Sequence, residues 1–197
     1  FVIGIGNVAL DVARILAKTP EELAETDIAD YALEELRVSR LEDIWLVGRR
    51  GPLQAAFSPA ELREFMELAD AEVLVEENAL ELDTESQQLL ETEADKDTKK
   101  NIQLLTQIQE REVSGKKRRV HFLFLTSPVE ISGNDKVEKI CMVRNQLVKR
   151  EDGSLGPEAT DEINEAETGL VFRSIGYHGK PLPDLPFDQK TGTIPNE

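Results

Sequence analysis

Two short clusters in this chain carry residue types that can grip phosphate. The first is Gly4-Ile5-Gly6-Asn7-Val8-Ala9, a G-x-G-x-x-A turn. Gly4 permits a tight turn, and Gly6, lacking a side chain, lets a diphosphate approach the backbone. Ala9 is small enough for a helix to pack closely on a strand. The second cluster is Arg49-Arg50, inside Gly48-Arg49-Arg50-Gly51-Pro52. Guanidinium groups match a phosphate in a bidentate fork. A ligand that used both clusters would carry a diphosphate at one place and a further phosphate at another.

The elements around these clusters must hold them at the right ends. Phe1-Val2-Ile3 is a short run of strand formers, and Val8, Leu10, Val12, Ala13, Ile15 and Leu16 recur at helical spacing. Strand, glycine turn and helix together are the context a dinucleotide fingerprint requires. The helix N-terminus would offer unpaired N–H groups to the diphosphate. Ile44-Trp45-Leu46-Val47 is a continuous apolar run, as expected of a central parallel strand. In a dinucleotide fold the tip of the second strand meets the adenosine ribose, where an acid selects NAD through the 2′-hydroxyl. Here the tip carries two arginines and no acid, which predicts a 2′-phosphate and hence NADP. The competing readings are a tight turn of any parallel α/β domain and two solvated arginines at a strand end. Asn7 is placed to cap the helix. Asp11 either complements the helix dipole in the first turn or faces a flavin or nicotinamide.

Further along, Thr19-Pro20 marks a break, and Thr26-Asp27 is placed to cap a helix with the stripe Ile28, Tyr31, Ala32, Leu33, Leu36 and Val38. Ser58-Pro59-Ala60-Glu61 has capping-box spacing, so Glu61 reads first as a cap partner. Ala71 to Val75 reads as a strand. The acidic stretch 76–112 is expected to form a helical excursion outside the core sheet, with helices within Thr84 to Glu93 and Thr98 to Glu112. The basic run Lys116-Lys117-Arg118-Arg119 reads as a solvated turn, ahead of a docking patch for an acidic protein and of a nucleic-acid contact. Residues 118–149 alternate with period two around the turn signal Gly133-Asn134-Asp135 and predict an antiparallel meander. Glu151 to Glu167 reads as a polar loop with a sharp turn at Asp152-Gly153, and Gly169 to Tyr177 as a last strand. The fold expected is α/β, a Rossmann-like parallel sheet with helices on both faces and an inserted antiparallel β meander. One domain would span 1–180, with 181–197 an extended linker.

Composition removes several classes of function. A net charge of −16 repels phosphate backbones, so nucleic acid is not an expected partner. One cysteine, Cys141, rules out an internal disulfide, a multi-cysteine zinc site and a cysteine-ligated iron–sulfur cluster. With only His121 and His178 besides, no metal site is expected. No apolar run approaches the length of a membrane span. Because the chain enters a core strand at Phe1, further residues are expected before it.

Three segments together resemble the adrenodoxin reductase family, the ferredoxin–NADP reductases of the glutathione-reductase type. They are Gly4-Ile5-Gly6-Asn7-Val8-Ala9-Leu10-Asp11-Val12-Ala13-Arg14, Gly48-Arg49-Arg50-Gly51-Pro52-Leu53-Gln54-Ala55-Ala56-Phe57 and Ser174-Ile175-Gly176-Tyr177. Thr126-Ser127-Pro128-Val129-Glu130 is also similar to that family. The resemblance falls in the family's NADP domain and implies FAD-binding parts on either side, in the same polypeptide. It implies that Ile5-Gly6-Asn7-Val8 hold the NADP diphosphate, that Arg49 and Arg50 hold the 2′-phosphate and that Glu61 lines the site. It places Asp11 near flavin and nicotinamide, and Arg63 where an acidic ferredoxin docks. Ile5 stands where family members often carry glutamine. The implied activity of the whole protein is hydride transfer between NADPH and FAD, with single electrons passed to or from an iron–sulfur ferredoxin. The implied compartment is the bacterial cytoplasm, with the mitochondrial matrix as the second choice. This stretch alone is expected to be inactive as a reductase. A stand-alone NADP sensor without catalysis is the alternative.

Overall fold

The computed structural model describes residues 1–151 and 153–195. Strand β1 (Val2–Ile3) passes through the glycine turn into helix α1 (Asn7–Ala17). Helices α2 (Pro20–Ala24) and α3 (Asp30–Val38) lead to β2 (Asp43–Val47), and α4 (Pro59–Met66) leads to β3 (Ala71–Val75). After α5 (Thr84–Thr92) and α6 (Lys96–Gln109) comes β4 (Arg118–Leu123). Strands β5 (Thr126–Ser132), β6 (Lys139–Lys149) and β7 (Leu155–Glu167) follow, and β8 (Phe172–Arg173) returns to the first sheet.

The larger sheet runs β3-β4-β2-β1-β8, every neighbouring pair parallel. The smaller is the antiparallel meander β5-β6-β7. Alternation along each strand divides the core. Ile44, Leu46, Val120 and Phe122 face one way, against Leu10 and Ala13 of α1, Leu62 and Phe65 of α4, and Leu104, Leu105 and Ile108 of α6. Trp45, Val47 and Leu123 face the other way, against Ile140 and Met142 of β6. Around Val47 the second face is therefore covered by sheet. β2 lies on one side of β1 and β8 on the other, so the strand order reverses at β1. Such a reversal opens a crevice beyond the carboxyl ends of the strands, where α/β folds hold their ligands.

Several local expectations change. Residues 155–167 are not a loop but β7, paired with β6 from Lys139↔Glu167 to Lys149↔Leu155. Its residues are mostly exposed and polar, so no apolar alternation marked it; backbone pairing at an edge needs none. The turn foreseen at Asp152-Gly153 has its first residue outside the described residues. Thr26 does not cap α3, which starts at Asp30 behind Ala29 with no side-chain cap. Its hydroxyl instead donates to Leu23 O, closing α2, while Thr19 and Glu22 form a full capping box at the start of α2. The stretch 76–112 is no excursion throughout, because α6 carries three core residues and its buried Asn101 donates to Phe57 O at 2.9 Å. The tail is not simply extended, since Gly179 N–H donates to Gly192 O at 3.0 Å and Asp188 bridges Thr193.

The basic run is also more than a solvated turn. Arg119 pairs with Asp43 at 2.7 Å, Arg118 donates to the Lys18 carbonyl, and Lys116 reaches Leu68 O and Ala71 O at 3.2 and 3.4 Å. The turn before it closes on Glu72, whose carboxylate accepts from Ser114 N–H, from the Ser114 hydroxyl at 2.9 Å and from Gly115 N–H at 3.1 Å. Burial pushes the Glu72 carboxyl up, but these bonds outweigh it and hold it below its ordinary 4.5. A depressed folded value contributes stability above the unfolded value and loses it as pH falls through the folded one. Glu72→Gln should therefore be less stable than the parent at pH 7. The gap should close in urea melts taken at pH values below about 4.5, as the parent loses this contribution.

Candidate functional site

The glycine turn meets the tip of β2 at the crevice beside β1. Gly4 N–H donates to Val47 O at 2.9 Å, and Ala56 N–H donates to Ile5 O at 2.9 Å, so the turn is pinned on both sides. Gly4 has φ +134°, and a Cβ there would lie 2.0 Å from Ser174 O. Its need for glycine comes from the protein itself. Gly6 differs: a Cβ would meet only Ala56 Cβ, at 4.0 Å, and its φ of −113° suits any residue. Nothing in the polypeptide explains a glycine there, whereas a ligand lying on the backbone would. Ala9 is fully buried in the helix-side core, as close helix–strand packing requires.

Gly6 is also the N-cap of α1, and no side chain caps that helix. The first-turn N–H groups, which have no partner inside a helix, are left for something else. Asn7 is thus not the cap; as the first helical residue, its Oδ1 accepts from Ser58 N–H at 2.8 Å and ties α1 to the start of α4. Ile5 offers no polar group. Its side chain lies over Gly48, where a Cβ would come within 2.5 Å of Ile5 Cδ1.

Beyond the turn lies a cleft of about 640 Å³, lined by Gly6, Arg49, Arg50, Gln54, Ser127 and Ser174 among others. The arginine pair is held by its backbone. Asn145, buried on β6, donates to Arg49 O and to Ser127 Oγ, both at 2.8 Å. Leu125 N–H donates to Arg50 O at 3.1 Å, and Leu125 adopts a left-handed φ of +52° at the β4–β5 corner. Among the described residues, neither Arg49 nor Arg50 has a carboxylate in ion-pair range. Burial, and then the charges of Arg49 and Arg150, lower the Arg50 guanidinium from its ordinary value. Uncompensated cations in a chain of net charge −16 mark a place built for an anion. Gln54 Oε1 is buried in the same lining without a hydrogen-bond partner among the described residues.

The remaining candidates stand apart from that lining. Asp11 is not in the first turn of α1, so the helix dipole is not its partner. Its carboxylate pairs with Arg14, which also pairs with Glu64 and, at 3.2 Å, with Glu61. Arg14 thereby staples α1 to α4. Glu61 completes only half of the expected capping box: its N–H donates to Ser58 Oγ at 3.4 Å, while its carboxylate goes to Arg14. Arg63 is exposed on α4 with no ion pair among the described residues. Among the described residues, no cluster of metal-ligating side chains occurs and no helix is long and apolar enough to cross a membrane. The site residues missed from sequence are Arg14, Gln54 and Asn145. Asn145 did leave a trace, as a polar residue inside the alternation of β6 beside a register shift at Val143/Asn145.

Fold and site define a class: a Rossmann-like α/β domain with an antiparallel insertion, whose crevice joins an open helix N-terminus to an arginine pair without a carboxylate partner among the described residues. No family profile matches the chain. NADPH-ferredoxin reductases and NADPH:adrenodoxin oxidoreductases are nevertheless its homologues. It is 48% identical to NADPH-ferredoxin reductase FprA of Mycobacterium tuberculosis over 99% of its length. It is 36% identical, again over 99% of its length, to the mitochondrial NADPH:adrenodoxin oxidoreductase of Homo sapiens. The solved structure of Mycobacterium tuberculosis FprA in complex with NADPH superimposes with a TM-score of 0.89 over the whole chain. In each case the chain spans only 41–42% of the relative's length.

Proposed function

We propose that this chain is the NADP(H)-binding domain of a FAD-dependent ferredoxin–NADP reductase. The observation that carries the proposal is the pair Arg49 and Arg50, unneutralised at the tip of β2 beside the uncapped start of α1. The first-turn N–H groups of Asn7, Val8 and Ala9 receive the diphosphate, and the bare backbone at Gly6 lets it come close. Arg49 and Arg50 hold the 2′-phosphate and select NADP over NAD. Gln54 offers its unpaired carbonyl oxygen to the adenosine end. Glu61 lies along the nucleotide, oriented by Arg14. Ile5 contributes through its backbone.

In the whole protein, hydride would pass between NADPH and FAD in one direction or the other, and single electrons between FAD and an iron–sulfur ferredoxin. FAD belongs to other parts of the same polypeptide. This domain's task is to fix where the nicotinamide lies, because a reacting pair gains most of its rate from being held in contact. Asp11, half-exposed on α1, faces the flavin side, and Arg63 meets the acidic ferredoxin. The bacterial cytoplasm is the compartment that goes with this role.

Side-by-side calorimetric titration of the full-length protein with NADP⁺ and NAD⁺ tests the reading, and a clear preference for NADP⁺ is expected. Equal affinities would remove the 2′-phosphate assignment. Gly6→Ala supplies a second test. The methyl group meets no protein atom closer than 4.0 Å, so the melting temperature should hold. It intrudes on the diphosphate, so NADP⁺ affinity should fall about ten-fold, close to 1.4 kcal/mol.

A further inference from the structure

The β4–β5 corner is strapped along the arginine loop. Gly48 O accepts from Thr126 N–H at 2.9 Å, Arg50 O from Leu125 N–H at 3.1 Å, and Arg49 O from Asn145 Nδ2 at 2.8 Å. Asn145 is itself tied to the corner, its N–H donating to Leu125 O at 2.7 Å. Three consecutive carbonyls are thus held from the meander side, and the next residue of β5, Ser127, keeps a fixed place beside the pair. Ser127 lines the cleft together with Arg49 and Arg50. Its Oγ lies 2.8 Å from the same Asn145 Nδ2 that reaches Arg49 O. A carbonyl can only accept, so buried Asn145 must present its amino end there, and the second hydrogen of that end goes to Ser127. Ser127 Oγ is therefore the acceptor in this bond and keeps its own proton. Thr126, one residue earlier, spends its proton on Phe124 O at 3.1 Å. Among the described residues, the Ser127 hydroxyl has no acceptor for its proton.

We propose that the Ser127 hydroxyl is a specificity-determining donor to the 2′-phosphate of NADP, oriented by Asn145. The proposal rests on the reading of Arg49 and Arg50 as the clamp for that phosphate. A phosphate monoester presents three strong acceptor oxygens. The arginines bring charge to them from the tip of β2, and the serine brings a neutral O–H from β5. An O–H donated to a charged oxygen is shorter and stronger than one donated to a neutral group. NAD carries only a hydroxyl at that carbon and gains much less from the same donor. The inserted meander then takes part in cofactor choice as well as covering the core face at Val47.

The test uses the full-length protein, with NADP⁺ and NAD⁺ titrated by calorimetry at low and at high salt. Ser127→Ala is expected to weaken NADP⁺ about ten-fold and to leave NAD⁺ within about two-fold. Because the donor lost is neutral, the salt dependence of NADP⁺ binding should match the parent's. Ser127→Thr keeps the hydroxyl and suits a strand, and should retain most of the NADP⁺ affinity. Ser127→Ala also removes an acceptor from Asn145, so the melting temperature is followed alongside. A lower melting temperature with NADP⁺ preference intact marks the serine as a structural partner of Asn145 and overturns the proposal. Equal weakening of both nucleotides overturns it too, as does a flattened salt dependence, which would mean that the arginines had moved. Arg49→Ala with Arg50→Ala, run in the same series, separates the two readings. If preference is lost there but not in Ser127→Ala, the clamp stands and Ser127 falls. Retained preference in that double variant would overturn both.

Discussion

Alanine at both Arg49 and Arg50 is expected to lower NADP⁺ affinity about 100-fold and to leave NAD⁺ affinity within about two-fold. The estimate follows from the kind of bond removed. Hydrogen bonds to a charged partner contribute about 1.5–3 kcal/mol each, and neighbouring ones do not simply add, so about 3 kcal/mol is reasonable for the pair. NAD⁺ has only a hydroxyl at that carbon and loses no phosphate contact. The salt dependence of NADP⁺ binding should flatten too, because two charges, one exposed and one half-buried, have left the site. Stability should move little or even improve. Neither side chain pairs with a carboxylate among the described residues, and Arg50 is held half-buried next to two like charges. The bonds that shape the loop come from its backbone, at Arg49 O and Arg50 O, and survive truncation. A melting temperature at or above the parent's, with NADP⁺ selectivity lost, is the signature of residues retained for a ligand rather than for the fold. A variant that loses both nucleotides equally would point to a collapsed loop and remove the clamp.

What could be read from the residues was local. The glycine turn, the helix after it and the apolar run of β2 sit within a few residues of one another, and their positions follow from period and turn chemistry. Of the stretch 118–149 only β5 and β6 were legible as meander, through alternation and a glycine-asparagine turn; residues 118–123 form β4, a parallel strand between β3 and β2, because alternation alone does not tell a parallel strand from an antiparallel one. β7 was not legible, because a strand with solvent on most of its length has no apolar period to display. The basic run misled in the opposite way. Four consecutive cations suggest solvent, yet Lys116, Arg118 and Arg119 each close on a carbonyl or carboxylate distant in sequence. Glu61 shows the same limit most sharply. Its spacing from Ser58 fits a capping box, but Arg14 from another helix takes its carboxylate, and no spacing rule within α4 contains that residue.

The two glycines of the opening motif separate fold from ligand, and Gly4→Ala should be strongly disruptive. Its Cβ would stand 2.0 Å from Ser174 O and 2.7 Å from Ser174 C, both backbone atoms that no rotamer change can move. At φ +134° the alanine is strained as well, a conformation that L side chains rarely adopt. Relief requires β8 to withdraw from β1. That strand has two residues and is held beside β1 by bonds such as Ser174 N–H to Ile3 O at 2.7 Å and Phe172 N–H to Phe1 O at 2.8 Å. A loss of about 3 kcal/mol or more is expected, in the range of overpacking combined with backbone strain. Ser174 also lines the cleft, so nucleotide affinity should fall with stability. Gly6→Ala, two residues away, should do the reverse and spare the melting temperature while weakening NADP⁺. Urea melts and titrations on both variants make the comparison. If Gly4→Ala melts with the parent, β8 is not seated against the turn as described. The crevice would then lack the wall that makes β1 its switch point.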